Sequence, residues 1–250
     1  MNISGEFRFS GESGNVVSNH DWRVVMVNIL FGCEGLRQPL RGLTLTLTLV
    51  AVLLPLAAVA KPANVTDGEI AMLPIYCPDT MGFNYGASKI NMSPLAPKWL
   101  AQMGPGFWTM HHYCWGLVNW RRANSMPKQS MERRHTLVQV VNDYQFVVKN
   151  TTSNFLMLPE ILTRMGEVYL ELDDVGAAYQ AFYRAREIKP DYWPAYSRWA
   201  AVLIKSGQKK EAMKLVRLGL EHAPDSDVLN ELYRGLGGDP ATIAPPSEKK

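Results

Sequence analysis

The sequence predicts an all-α protein: a short solenoid of stacked helical hairpins behind an irregular N-terminal extension. Three observations carry this. A pattern of large and small residues repeats with a period of 34 residues between Leu162 and Pro224. Two amphipathic segments precede it, at 106–123 and 130–149. Residues 61–105 are instead rich in proline, glycine and asparagine, including Pro74, Pro78, Gly82, Pro94, Pro97 and Pro105.

Within the repeat, the first unit runs Leu162, Met165, Gly166, Tyr169, Ala178, Phe182, Ala185, Pro190. Thirty-four residues on stand Tyr196, Trp199, Ala200, Leu203, Ala212, Val216, Gly219 and Pro224. Small residues such as Gly166, Ala178, Ala200 and Ala212 let two helices approach closely. Tyr169, Phe182, Leu203 and Val216 fill the space between them. Pro190 and Pro224 end the second helix of each unit, because proline cannot continue a helix. Asp173-Asp174 and Ser206-Gly207 mark the turns inside the units. This spacing resembles the tetratricopeptide repeat (TPR), with large-x-x-L-G-x-x-Y, then A-x-x-x-F-x-x-A, then proline. The resemblance implies a TPR helical-hairpin solenoid with repeats at 159–192 and 193–226.

Residues 227–237 (Val228, Leu229, Leu232, Tyr233, Leu236) follow Asp225-Ser226-Asp227 and read as a capping helix. A disordered tail is expected over 238–250. Upstream, residues 106–150 (Phe107, Trp108, Trp115 and Val118, then Leu137, Val141, Tyr144 and Val148) are expected to form a divergent hairpin of the same kind. Residues 61–105 are expected to form an irregular lid with one short helix between Ser93 and Met103.

The N-terminus reads as an export signal. Arg37 and Arg41 precede an uncharged run from Leu43 to Ala58 that ends in Ala58-Val59-Ala60. That is a signal-peptide pattern over 37–60, with periplasmic export expected. The alternative is a retained inner-membrane anchor, for which the run is short. A membrane contact is expected only in that alternative. Residues 1–36 read as a doubtful or disordered leader, with Met26 as an alternative start.

The net charge is +3, and the basic residues are scattered, which argues against a nucleic-acid surface. Phosphate-loop, G-x-S-x-G, G-x-G-x-x-G and H-E-x-x-H patterns do not occur, so neither catalysis nor a cofactor is expected. Cys77 and Cys114 form an even pair in an exported chain and are expected to form a disulfide. The alternative is a metal- or haem-handling site built from Cys77, His111, His112 and Cys114. Its spacing fits no zinc pattern.

The TPR resemblance implies that the first helix of each repeat lines a concave groove for a protein or peptide partner. The groove positions are Glu160, Thr163, Glu167 and Glu171, then Ser197, Ala201 and Lys205. The acidic first row lacks the lysine- and asparagine-rich clamp of chaperone-binding TPRs and suggests a partner segment of basic character. The resemblance further implies a scaffold role in assembling a pilus, secretion or polysaccharide-export system.

Overall fold

The computed structural model describes residues 64–83 and 93–243. They belong to one compact unit. The expectations for residues 1–60 and 244–250 lie outside the described residues. The described elements are α1 (Asp67–Ala71), α2 (Ala96–Met103), α3 (Met110–Asn124), α4 (Met131–Asn150), α5 (Leu158–Glu171), α6 (Val175–Ile188), α7 (Trp193–Lys205), α8 (Lys209–His222) and α9 (Asp227–Gly235). Among the described residues no helix is long and apolar enough to cross a membrane.

Consecutive helices from α3 onward pair as α3/α4, α5/α6 and α7/α8, and α9 caps the last pair. The pairs form because the first helix of each presents a very small residue. A Cβ on Gly166 would lie 2.8 Å from Cζ of the fully buried Phe182. A Cβ on Gly116 would lie 2.4 Å from Cε1 of the equally buried Tyr144. So α3/α4 is packed as α5/α6 is, with Gly116 in the place of Gly166 and Tyr144 in that of Phe182. The separation of glycine and ring is longer in α3/α4, which hides the shared register from the 34-residue pattern.

The turns inside the two C-terminal pairs also correspond. Asp173 (φ 63°) and Gly207 (φ 79°) occupy the same place 34 residues apart, both left-handed. Glycine adopts this conformation freely, and aspartate is among the few other residues that tolerate it. Asp174 then caps α6 by accepting from Ala177 N at 2.9 Å. Proline stands in the first turn of α5 and of α7, where its missing N–H is not needed.

α3 is covered on almost every side, as its unbroken run of buried residues from His112 to Asn119 shows. Part of that cover is the N-terminal segment. Cys77 is joined to Cys114 by a disulfide. Glu69 receives Arg122 Nε at 2.5 Å and Arg122 Nη2 at 2.9 Å. Arg121 Nη2 donates to the Met72 carbonyl. Asp79 accepts from Trp99 Nε1 at 2.7 Å and from Ser93 Oγ at 2.5 Å, which ties α2 to the same segment. At the other end, Leu229 and Tyr233 of α9 bury against the last hairpin. Residues 238–243 extend the ordered chain past the expected start of the tail. Asp239 caps a 3-10 turn at Pro240–Thr242, and Ile243 packs on the final core cluster.

Two outcomes follow for stability. Gly116→Val should lower the unfolding free energy by about 1–3 kcal/mol through overpacking against Tyr144, measured by chemical denaturation. Replacing both Cys77 and Cys114 by serine opens a 37-residue sequence separation. It should cost about 4 kcal/mol in the chain-entropy account, read as a lower melting temperature that reductant no longer changes.

Candidate functional site

The first helices α5 and α7 lie side by side, and the outward row of α5 meets the first turn of α3 and the start of α4 through side-chain bonds. Glu160 accepts from Tyr113 Oη at 2.6 Å and from Arg164 Nε at 3.0 Å. Glu167 pairs with Arg198 Nε at 2.8 Å. Glu171 pairs with Arg133, whose side chain is nearly buried. All three glutamates of the acidic row are therefore engaged by arginines. This corrects the picture of an open acidic face awaiting a basic partner.

The arginines follow the repeat. Arg164 and Arg198 are 34 residues apart and occupy the same place in successive helices. Arg164 finds Glu160 one turn back on its own helix. The residue one turn before Arg198 is Pro194, which offers no charge, so Arg198 reaches across to Glu167 of the preceding hairpin.

Thr163 does not face open solvent. It is 4% exposed, and its Oγ1 has no partner among the described residues. Ser197 is half-buried and donates to the Pro194 carbonyl at 3.1 Å. Ala201 and Lys205 are exposed. The groove thus has a closed, paired half on α5 and an open half on α7.

Arg164 is the centre of the closed half. Its guanidinium lies 5.8 Å from the Trp120 ring. It loses hydration there, but the oxygens of Tyr113, Glu160 and Tyr144 outweigh that loss and hold its pKa above the usual arginine value. Burial pushes the Glu167 carboxyl upward, against the pull of Arg198 and Arg164. Burial likewise raises the Tyr113 hydroxyl, with the Glu160 charge adding to it. Arg133, Arg164, Arg198 and Tyr113 were not singled out by sequence. Only the Glu160–Arg164 spacing of four residues was legible there.

The second cluster surrounds the adjacent histidines. His111 Nδ1 bonds the Trp108 carbonyl at 2.9 Å, and His112 Nδ1 bonds Asp143 Oδ1 at 2.8 Å. The two rings lie 4.4 Å apart, each 4.8 Å from Trp115. Burial raises the Asp143 carboxyl, and its bond to His112 opposes that rise. Cys77 and Cys114 are consumed by their disulfide and offer no thiolate to a metal. Among the described residues no three His, Cys, Asp or Glu side chains gather where they could hold an ion. His112 and Asp143 instead bridge α3 to α4 in the core.

Residues 161–234 match the tetratricopeptide-repeat family. Residues 161–234 are a tetratricopeptide-repeat region. No curated protein shows a significant match to it. The matched TPR span covers α5 to α9 almost in full, and the α3/α4 hairpin lies outside it although its glycine-to-ring packing is the same. TPR arrays mediate protein–protein contacts and are generally non-catalytic scaffolds.

The histidine cluster should give this protein a pH dependence. Burial and the neighbouring His112 lower His111 from 6.5 to about 4. The unfolded chain therefore binds the extra proton between those values, and stability should rise as pH goes from about 4 to about 6.5. His111→Gln should flatten that part of a melting-temperature profile.

Proposed function

We propose that this protein is an exported, periplasmic scaffold of a bacterial envelope assembly system, such as one that builds a pilus, a secretion apparatus or a polysaccharide exporter. It binds a partner segment along α5 and α7 and carries out no catalysis. The observation that supports this most is the row Glu160, Arg164, Glu167, Arg198 and Lys205 on successive first helices. It is a polar surface laid across two repeats and fixed by one pair within α5 and one between α5 and α7.

Because each groove glutamate already has its arginine, a purely basic segment gains little there. A segment carrying both signs can exchange with the existing pairs, and exposed Ala201 leaves room for an apolar contact beside them. Export is supported by Ala58-Val59-Ala60 behind an apolar run and by the disulfide, which persists in oxidising compartments.

A photo-crosslinking amino acid at Ala201 tests the groove in the living cell. It should capture a defined protein partner, and Arg164→Ala combined with Arg198→Ala should reduce that capture about tenfold, as expected for losing central charged contacts. Capture unchanged by the double variant would remove α5 and α7 as the binding surface. Sequencing the purified protein from its N-terminus should begin at Lys61; a retained leader would contradict export with cleavage.

A further inference from the structure

The side of the array carried by the second helices holds a feature that the groove does not use. Between α6 and α8 lies a cleft of about 410 Å³. Trp199 and Leu203 of α7 form part of its lining, together with Tyr179 and Arg186 of α6 and Lys214 and Leu218 of α8. Its volume is at the small end of the roughly 300–1,000 Å³ of ligand clefts, which suits one or two side chains better than a whole cofactor.

The lining is unusual for a solvated helix face. Tyr179 is 39% exposed and Leu218 is 44% exposed. Tyr179 stands 5.4 Å from Trp199 and 6.0 Å from Tyr183, ring centre to ring centre. Trp199 continues inward to Phe182 at 6.0 Å. Exposed Tyr179 and Leu218 beside half-buried Trp199, which rests on buried Phe182, make an apolar surface with a rigid base, the composition favoured at the centres of interfaces.

Arg186 supplies the charge. Its guanidinium carbon lies 5.4 Å from the Tyr196 ring and 5.9 Å from the Tyr183 ring. Its Nη1 is buried with no hydrogen-bond partner, and among the described residues it has no carboxylate. Burial pulls its pKa below the usual arginine value. A half-buried cation without an anion is costly, and the tyrosine faces offset only part of that cost. The other charges of the lining already cancel, since Lys214 bonds Glu211 at 2.9 Å. The cleft therefore carries one uncompensated positive charge beside an apolar wall.

We propose that the cleft between α6 and α8 is a second docking site, taking an acidic peptide segment of a protein partner. An apolar side chain of that segment enters beside Trp199 and Leu218. A neighbouring Asp or Glu side chain supplies the carboxylate that Arg186 lacks. The site is separate from the α5–α7 groove, so the array binds on both sides and can hold two partners at once.

The test is a selection of short random peptides on the full-length oxidised protein, followed by fluorescence-polarisation titration of the enriched peptides. Enriched sequences should place Asp or Glu next to Leu, Phe or Trp. Their affinity should fall about tenfold in Arg186→Gln and in Leu218→Glu, and should stay within about twofold in Ala201→Arg. Leu218→Glu guards against misfolding, because its site is exposed and the introduced charge opposes only an acidic ligand. Circular dichroism of each variant should match the parent. The proposal is overturned if no acidic peptide is enriched, or if enriched peptides bind Arg186→Gln and Leu218→Glu as tightly as the parent. Peptides lost only in Ala201→Arg also overturn it and place binding in the groove alone.

Discussion

The hairpins α3/α4 and α5/α6 each depend on one close approach, between a first-helix glycine and a large ring on the second helix; in α7/α8 the roles are reversed, with Gly219 of the second helix against the Tyr196 ring of the first. Gly166 under Phe182 and Gly116 under Tyr144 are the two places where that approach is tightest in the stacked pairs. An added methyl group at either glycine would overlap a ring that is buried on all sides and cannot turn away. The ring in turn fixes how far apart the helices sit, and so where the next first helix can stack. Because each hairpin touches mainly its neighbours, this local condition propagates along the array from one hairpin to the next.

The ends of such an array are its weak points, since a hairpin with no neighbour would expose its apolar face. The two ends are closed by different means. At the C-terminus, α9 offers Leu229 and Tyr233, and a short amphipathic helix is enough. At the N-terminus the described part of the covering segment consists of short helices and turns, joined to one another and to α3 by side-chain bonds. The Cys77–Cys114 disulfide, the Glu69–Arg122 pair and the Asp79 bonds to Trp99 and Ser93 supply what helix packing supplies elsewhere. The chain-entropy effect of a disulfide is well suited to such a segment, because the unfolded state it restricts is large.

Electrostatics divides the two faces of the array. On the first-helix side, glutamates and arginines are matched, Glu160 within its own helix and Glu167 and Glu171 across helix boundaries. On the second-helix side, Arg186 is left against tyrosine rings with no carboxylate among the described residues. Matched pairs give little net attraction for a single-signed partner and more for one that can rearrange them. An unmatched, partly desolvated cation attracts an anion strongly over a short range. The two faces therefore favour different partner chemistries.

The period of 34 residues, the small residues at Gly166 and Ala200, and the prolines at 190 and 224 were enough to determine the helical hairpins, because helix contact in this fold is set by residue size at fixed spacing. The capping helix was legible for the same reason, as was the pair of cysteines available to each other. Three things were decided only by tertiary structure. The equivalence of Gly116 to Gly166 was hidden by a longer connection and appears when Tyr144 is seen over Gly116. The acidic row proved to be paired, because Arg198 and Arg133 come from other helices, and charge balance between helices depends on their relative placement rather than on sequence distance. The isolation of Arg186 is likewise invisible in sequence, since an arginine lacks a partner only when the fold puts rings, and no carboxylate, within its reach.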